Sequence, residues 1–301
     1  MSSKFNARRV AVLATLLLGL GLTASARDKA SFQPLHTPAT REQHPGKFVW
    51  ADLFTTDPVA ATKFYTGLFG WTANTIDQSG RTYTVFSNGS HPVAGLAQRH
   101  TANLKRPSRW ISYIAVPDIK ATLALVTAAG GLVRAPARDF PDRGFQAIIA
   151  DPEGSPIGLL QSGSGDSLDG ETAPGDWNWF QLYGKAPKTI SAFYAGVFKY
   201  TVTPDTRTVR KGDFLLNTED LPRGGVAPLP DREDAQPGWI GVVRVEKMDE
   251  TLARVTGLGG EVLLAPRAAA YESRFAIIAD STGGTIGLVE YVNSASLPSS
   301  P

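Results

Sequence analysis

Residues 48–54 form a short run that is apolar except at Asp52, which predicts a β-strand. Trp50 and Asp52 share one face of this strand because side chains alternate between the two sides of a sheet. The other face carries the apolar residues Val49, Ala51 and Leu53. The strand therefore presents an indole and a carboxylate together on one face.

A helix is predicted directly after this strand. Asp57 is a good N-cap because its carboxylate can accept a hydrogen bond from a free N–H of the first turn. Pro58 suits the first helical position because the N–H that proline lacks would have no partner there. Gly70 is the predicted end, since glycine adopts left-handed dihedral angles at low cost. The apolar stripe between them consists of Val59, Phe64, Leu68 and Phe69. Short strands are then predicted near residues 72–77, 82–87 and 92–98, with a turn at Asn88-Gly89.

The same order of elements follows a second time. A strand is predicted over residues 110–116, and a helix runs from its N-cap Asp118 to about Ala129. The remaining strands are predicted near residues 132–135, 145–150 and 156–161. One half of the chain thus holds two βαβββ modules, and the predicted fold class is α+β.

The two halves of the chain repeat one another at a constant spacing. The run from Ala147 to Asp151 (AIIAD) recurs from Ala276 to Asp280. Further pairs at this same spacing are Trp50 and Trp179, Tyr65 and Tyr194, Trp110 and Trp239, and Gly158 and Gly287. Because one spacing holds across a whole domain length, the sequence predicts two homologous domains in tandem.

Residues 1–26 have the pattern of a signal peptide. Lys4 and the Arg8-Arg9 pair precede an apolar run over residues 10–22, and Ala24-Ser25-Ala26 is a small-residue cleavage site. The run is about 13 residues long, whereas roughly 20 are needed to cross a bilayer. We therefore expect cleavage after Ala26, export to the periplasm or the medium, and no stable membrane anchor. The arginine pair leaves the twin-arginine route open beside the general one.

Charge and composition exclude several classes of function. Three of the 30 Lys and Arg and none of the 28 Asp and Glu lie in the predicted signal peptide, which leaves 27 basic against 28 acidic residues, a net charge of −1. Without a basic block, binding to nucleic acid has no electrostatic support. The chain has no cysteine, which excludes disulfides, thiolate metal sites and cysteine nucleophiles.

Composition also predicts where the domains begin and end. Residues 163–175 are rich in Gly, Ser and Asp, which is typical of a flexible linker. The predicted division is a signal peptide (1–26), an N-terminal arm (27–46), domain 1 (47–162), the linker (163–175), domain 2 (176–293) and a tail (294–301).

Two motifs make the chain similar to a known family. Residues 50–58 (WADLFTTDP) with residues 64–71 (FYTGLFGW), and residues 150–154 (ADPEG) with residues 157–159 (IGL), resemble the vicinal-oxygen-chelate superfamily of glyoxalase I, bleomycin-resistance proteins and extradiol dioxygenases. The resemblance covers both halves and implies two tandem glyoxalase-type domains. It further implies that paired modules form a curved sheet whose concave face holds a ligand and, in the enzymes, a divalent metal.

The same resemblance implies where metal ligands should stand: seven residues before each helix-capping Asp and seven residues after the hairpin Asp. The residues at these positions, or at their looser equivalents, are Trp50, Gly95, Ile111, Gly158, Trp179, Gly224, Ile240 and Gly287. None of these side chains offers a lone pair to a metal. The four histidines fall in the arm or in predicted loops, where solvated side chains are the expectation. We therefore expect neither a metal nor another cofactor.

Indoles occupy two of these positions, so Trp50 and Trp179 are expected to line the concave faces. One interpretation is that each indole fills its cavity and makes it a core. The other is that it stacks on an apolar or aromatic ligand, with Gly158 and Gly287 leaving room opposite the rings.

Asp52 is the ionisable residue that the strand pattern places inside a cleft. It is a candidate for a general base or a hydrogen-bond anchor, and the alternative is a structural pair with an arginine or a tyrosine hydroxyl. Its counterpart in the second half is the neutral Gln181. Tyr113 and Tyr183 are further candidate ligand contacts, and for each the alternative is a packed aromatic ring.

The sequence thus predicts an exported, metal-independent protein that binds a small apolar or aromatic molecule in a Trp-lined cleft. Two alternatives stay open. One is an enzyme, either a metal-dependent lyase or dioxygenase with ligands at unusual positions or a metal-free enzyme that uses Asp52. The other is a structural module whose clefts are closed by their own side chains.

Overall fold

Each half of the chain folds into one eight-stranded mixed sheet with two helices. The structure is a computed structural model and describes residues 32–77, 82–99, 108–207, 212–231 and 235–292. The predicted signal peptide and the predicted tail lie outside the described residues. Within the described part of the chain, every helix is too short or too polar to span a membrane.

The elements follow the predicted βαβββ order four times. The first half contains β1 (Phe48–Thr55), α1 (Pro58–Phe69), β2 (Thr72–Asp77), β3 (Thr82–Asn88), β4 (His91–Gln98), β5 (Arg109–Ala115), α2 (Ile119–Ala128), β6 (Leu132–Phe140), β7 (Gly144–Ala150) and β8 (Pro156–Ser162). The second half contains β9 (Trp177–Gly184), α3 (Pro187–Phe198), β10 (Thr201–Pro204), β11 (Phe214–Thr218), β12 (Leu221–Pro228), β13 (Gly238–Arg244), α4 (Met248–Gly257), β14 (Glu261–Ala269), β15 (Ser273–Ala279) and β16 (Thr285–Tyr291). The predicted fold class, α+β with two modules per domain, is confirmed.

The two modules of a domain meet at their first strands. The strand order of the first sheet is β2-β3-β4-β1-β5-β8-β7-β6, and the second sheet has the matching order β10-β11-β12-β9-β13-β16-β15-β14. β1 runs parallel to β4 and antiparallel to β5, which in turn runs parallel to β8. Residues of β1 and β5 therefore lie in the middle of the first sheet.

The helix boundaries of domain 1 follow the predicted caps. Asp57 Oδ1 accepts a hydrogen bond from the Ala60 N–H at 3.0 Å, and Gly70 ends α1 with a φ of 73°. The predicted place of Val59 in the buried stripe is wrong, because this side chain is 80% exposed. Phe64, which is buried, lies five positions further along, and this offset places the two side chains about 140° apart around the helix.

A β-bulge in the first strand of each domain changes which face two residues occupy. In β1 the register to β5 shifts between Phe48 and Trp50, so that the predicted common face of Val49, Ala51 and Leu53 is wrong for Val49. Val49 packs beside Trp50 instead, because the extra residue of a bulge interrupts the alternation. β9 has the equivalent bulge between Trp177 and Trp179.

The main core lies between the two sheets and is built from both domains. Helix α1 packs on α4, and α2 packs on α3. Each of the two large apolar clusters combines residues of both halves; Phe64 of α1, for example, shares a cluster with Ile278 of β15. A third cluster lies on the other side of the first sheet, where Phe32 and Leu35 of the N-terminal arm join Trp50.

The arm and the predicted linker run beside each other. The Arg41 N–H donates to the Ser164 carbonyl at 3.3 Å, and the Asp166 N–H donates to the Glu42 carbonyl at 2.9 Å. The His44 N–H adds a hydrogen bond to Asp166 Oδ2 at 2.8 Å. The first part of the linker, although flexible in composition, is therefore held by the backbone of the arm.

Candidate functional site

The surface of the first sheet opposite its helices, called face 1 here, holds a buried polar cluster around Asp52. Asp52 is 4% exposed. Its Oδ1 accepts hydrogen bonds from Trp50 Nε1 at 2.8 Å and from the Tyr83 hydroxyl at 2.6 Å. Tyr113 pairs with Trp50 across β1 and β5, and its hydroxyl acts to lower the pKa of the Asp52 carboxyl. Strand pairing thus brings together three elements to hold one carboxylate.

Burial governs the protonation of this cluster. Loss of solvent raises the pKa of the Asp52 carboxyl above its ordinary 3.8, while the hydrogen bonds from Tyr83 and Trp50 and the positive charge of Arg143 act in the opposite direction. Burial also raises the pKa of the Tyr83 and Tyr113 hydroxyls, so both remain donors at neutral pH. The cluster therefore combines an acceptor of raised basicity with two permanent donors.

Arg143 completes face 1 from the loop between β6 and β7. Its side chain is fully buried, and its guanidinium carbon lies 4.1 Å from the centre of the Trp50 ring, which is a cation–π contact. Its Nε donates to the Gln33 carbonyl of the arm at 2.7 Å. Neither terminal nitrogen has a hydrogen-bond partner among the described residues.

The N-terminal arm covers face 1. The Phe32 ring lies 4.8 Å from the Tyr83 ring and 4.9 Å from the Phe140 ring, and Leu35 is 2% exposed. As a result Trp50, which the sequence places on a ligand face, is only 3% exposed. The described arm therefore closes the cleft of domain 1.

The expected space beside the two glycines is absent, and this prediction is wrong. An added Cβ on Gly158 would lie 2.2 Å from Tyr113 Cδ1, because the Tyr113 ring occupies that space. On Gly287 it would lie 2.8 Å from a ring carbon of Phe275 and 3.0 Å from Val242. These glycines admit neighbouring side chains of the sheet and leave no room opposite the indoles.

The equivalent surface of the second sheet, called face 2 here, has different chemistry. Trp179 Nε1 donates to Gln181 Oε1 at 3.1 Å, so the indole and its strand neighbour pair as in domain 1. The guanidinium of Arg207 lies 5.1 Å from the Trp179 ring and is bound by Asp205 at 2.7 and 2.8 Å. Tyr183 lies two residues beyond Gln181 and is buried.

The register explains why the polar cluster is not repeated. Val242 pairs with Gly287 as Tyr113 pairs with Gly158, so the phenol donor of face 1 is an apolar residue on face 2. The register also corrects the second-half counterpart of Gly95, because Gly225 rather than Gly224 pairs with Gln181. Of the two faces, face 1 is therefore the more elaborate candidate site.

Tyr83, Arg143 and Phe32 are the residues of face 1 that the sequence reasoning missed. The alternation within β3 places Tyr83 on the same side as Val85 and was a usable signal. No local pattern distinguishes Arg143, which lies in a loop, or Phe32, which lies in the arm. Their role depends on contacts with residues far away along the chain.

The side chains on face 1 do not fit the divalent metal that the family resemblance implies for the enzymes. A divalent metal requires several side-chain lone pairs, and the positions expected for them hold Trp50, Ile111 and glycines. Face 1 does hold the carboxylate of Asp52, but its Oδ1 already accepts two hydrogen bonds and the positive charge of Arg143 acts on it.

A second group of possible ligands lies away from both faces. His44, Asp169 and Glu219 have ligand atoms within 4.8 Å of one another. Lys47 and Arg223 already bind Asp169 Oδ1 at 2.8 and 2.6 Å. With two cations on its carboxylates, this group is an ion-pair network that joins the arm, the linker and domain 2.

The comparisons with known proteins agree with the fold. The model of the Glyoxalase/Bleomycin resistance protein/Dioxygenase superfamily matches residues 47–159. The chain is 32% identical over 262 residues to the "Putative glyoxylase CFP32" of Mycobacterium tuberculosis, which covers 84% of this chain and 98% of that protein. It is 30% identical over 260 residues to the anthracycline biosynthesis protein DnrV of Streptomyces peucetius, covering 82% and 94% of the two chains.

Solved structures show the same architecture at low sequence identity. The Mn(II)-bound glyoxalase from Novosphingobium aromaticivorans aligns with a TM-score of 0.56 at 16% identity, covering 83% of both chains. The 2,3-dioxygenase LapB from Pseudomonas sp. KL28 aligns with a TM-score of 0.53 at 15% identity, covering 82% of this chain and 93% of that one. At these identities the likeness concerns the fold.

Proposed function

The chain belongs to the glyoxalase/bleomycin resistance protein/dioxygenase superfamily, and from this premise we propose that it binds a small apolar or aromatic molecule on face 1 without a metal. The observation that carries the proposal is the position of the Phe32 ring against face 1. A phenyl ring from outside the sheet lies against Tyr83 and Phe140, beside the Trp50 indole and the Asp52 cluster. In this proposal an aromatic ring of the ligand takes the place of Phe32, because the arm fills this part of face 1.

Metal independence is the part of the proposal that separates this chain from the Mn(II)-bound glyoxalase it resembles in fold. Equilibrium dialysis against Mn²⁺, Fe²⁺, Ni²⁺ and Zn²⁺, followed by elemental analysis, tests it. We expect no stoichiometric metal at micromolar affinity. A tightly bound equivalent of any of these ions, lost on replacement of Asp52 by Ala, would contradict the proposal.

Export is also part of the proposal. It rests on the predicted signal peptide, which lies outside the described residues. Cleavage after Ala26 leaves five residues of the mature chain before Phe32. Sequencing the N-terminus of the exported protein tests this, and recovery of Met1 would contradict it.

We expect replacement of Phe32 by Ala to raise the affinity of face 1 for benzamide, a neutral aromatic probe, by about tenfold. Burial of a phenylalanine is worth ~1.5–3 kcal/mol, and a ligand that replaces this ring must first give up part of that stabilisation. Ligand-detected NMR titration measures the dissociation constants of the two proteins.

The matched control is Phe145→Ala, since Phe145 is 38% exposed and lies on the same side of β7 as Ala147 and Ile149, which face the core between the sheets and not face 1. We expect this variant to bind benzamide as the wild type does. If neither the wild type nor Phe32→Ala binds benzamide, benzyl alcohol or benzoate, face 1 is not a site for aromatic molecules.

A metal-free enzyme is a second candidate because the raised pKa of Asp52 favours proton transfer. On this alternative Asp52 accepts a proton from the bound molecule while Tyr83 and Tyr113 donate hydrogen bonds. Replacement of Asp52 by Asn distinguishes the two. Loss of turnover with unchanged ligand affinity would favour the enzyme.

A further inference from the structure

The guanidinium of Arg143 is the charged group of face 1 whose hydrogen-bonding capacity is least used. The side chain is fully buried, and its terminal nitrogens Nη1 and Nη2 have no hydrogen-bond partner among the described residues. An arginine charge that is buried without an anion bound to it is costly, because water no longer solvates its N–H groups. Such a group in a candidate ligand site points to a missing anionic partner.

The described surroundings of Arg143 leave one edge of the guanidinium without a hydrogen-bond partner. Nε is taken by the Gln33 carbonyl at 2.7 Å, and the planar face lies over the Trp50 ring. Asp52 is close enough to affect the charge balance, but its Oδ1 is bound by Trp50 and Tyr83, which are neutral donors. The end-on edge formed by Nη1 and Nη2 is therefore the free one.

We infer that the small molecule bound on face 1 carries a carboxylate, which Arg143 binds through Nη1 and Nη2 while the apolar body of the molecule packs against Trp50 and Tyr83. The inference rests on the proposed function of face 1 and names the chemical class of its ligand. A planar carboxylate matches the two parallel N–H groups of a guanidinium edge, so two charge-assisted hydrogen bonds form at once.

Face 2 provides an internal comparison. Its arginine, Arg207, also lies on the equivalent tryptophan, but Asp205 binds its Nε and Nη2 at 2.7 and 2.8 Å. The arginine on face 2 thus already has its carboxylate from the chain itself. On face 1 the corresponding carboxylate is supplied by the ligand.

Titration of the full protein with benzoate and with benzamide, followed by ligand-detected NMR at pH 7, tests the inference. The two probes have nearly the same shape and differ in charge. We expect the wild type to bind benzoate at least about tenfold more tightly than benzamide, because a hydrogen bond to a charged group adds more affinity than a neutral one. Inorganic phosphate should not compete with benzoate.

Variants of Arg143 then assign the preference to this side chain. Arg143→Gln should remove the preference for benzoate over benzamide, and Arg143→Lys should retain part of that preference because the charge remains without the planar fork. Arg138→Gln, an exposed arginine on β6, is the matched control and should behave as the wild type. The comparison of the two probes on the wild type requires no variant, so it holds even if Arg143→Gln does not fold.

Equal affinity for benzoate and benzamide, unaffected by Arg143→Gln, would overturn the inference and leave the proposed function intact. Competition by phosphate would also overturn it, because the bound anion would then not be selected as a carboxylate. Failure of both probes with the wild type and with Phe32→Ala would instead contradict the proposed function itself.

Discussion

Replacement of both Tyr65 and Tyr194 by Phe is expected to lower the free energy of unfolding by roughly 2–6 kcal/mol, since each change leaves buried polar partners unsatisfied at a cost of ~1–3 kcal/mol. Tyr65 of domain 1 donates to Asp280 Oδ2 of domain 2 at 2.7 Å. Tyr194 of domain 2 donates to Asp151 Oδ2 of domain 1 at 3.0 Å. Both hydroxyls are fully buried.

Each tyrosine is the middle of a longer chain of hydrogen bonds. Trp110 Nε1 donates to the Tyr65 hydroxyl at 2.7 Å, and Trp239 Nε1 donates to the Tyr194 hydroxyl at 2.7 Å. Phenylalanine keeps the ring packing but leaves an indole N–H and a carboxylate oxygen without this partner. The two series of hydrogen bonds use different residues and cross the domain interface in opposite directions. We therefore expect the stability losses of the two substitutions to be close to additive.

The aspartates at the ends of these chains serve both domains at once. Asp280 Oδ1 accepts the Gly284 N–H at 3.0 Å and so shapes its own hairpin turn, while Oδ2 binds the tyrosine of the other domain. Asp151 divides its two oxygens in the same way, with Oδ1 on the Ser155 N–H at 2.9 Å. This accounts for the tyrosine, tryptophan and aspartate that recur at the constant spacing between the two halves.

Urea unfolding followed by far-UV circular dichroism measures this prediction. Tyr271→Phe is the matched control, because Tyr271 is 42% exposed and its hydroxyl accepts a long surface hydrogen bond of 3.4 Å from Arg207 Nη1. A double variant that unfolds at the same urea concentration as the wild type would show that the two series of hydrogen bonds do not stabilise the domain interface.

Replacement of Asp52 by Ala is expected to lower the free energy of unfolding by about 3 kcal/mol, because it removes the acceptor of buried donors and leaves the Arg143 charge without a nearby anion. Trp50 and Tyr83 lose the hydrogen bonds of 2.8 and 2.6 Å that they donate to Oδ1. Thermal and urea unfolding at pH 7 measure the loss. Stability equal to that of the wild type would contradict the assigned role of this carboxylate.

Replacement of Asp52 by Asn is expected to have an effect that depends on pH. The folded-state pKa of Asp52 is raised above its ordinary 3.8, chiefly by burial. The folded protein therefore holds the Asp52 proton more tightly than the unfolded chain does, and the wild type loses stability as the pH rises from about 4 through the raised pKa. Asparagine does not titrate, so Asp52→Asn should gain stability relative to the wild type over that interval.

Unfolding free energies of the wild type and Asp52→Asn between pH 4 and pH 8 test this sign. Asp220→Asn is the control, because Asp220 lies in an exposed turn with a φ of 61°, a conformation that asparagine also adopts. A stability difference that is constant with pH, or that changes in favour of the wild type as the pH rises, would contradict the prediction.

Local rules predicted much of the secondary structure of this chain. Asp57, Pro58 and Gly70 define α1 through hydrogen bonds and dihedral angles that involve only neighbouring residues. Alternation along β1 placed Trp50 and Asp52 on one face, and the structure finds them hydrogen-bonded to each other. The pattern failed at Val49, because a bulge inserts one residue and the alternation changes phase.

The candidate site was predictable only in part. Trp50, Asp52 and Tyr113 were found from their positions on central strands, but Arg143 and Phe32 come from a loop and from the arm. The space expected beside Gly158 also depended on a ring from another strand, Tyr113. Strand periodicity indicates which side of a sheet a residue occupies, whereas the neighbours it meets there depend on strand order and on chain segments far away in sequence.

The sequence by itself determined the βαβββ order, the tandem repeat and the absence of metal-ligating side chains at the expected positions, because each depends on residue type and on spacing along the chain. Only the tertiary structure decided that Phe32 covers face 1, that Arg143 lies over Trp50, and that Tyr65 reaches Asp280 of the other domain. These contacts join residues that are distant from one another in sequence. They form because the sheets pack against each other through their helices and the arm folds back over face 1, and neither periodicity nor capping carries information on that packing.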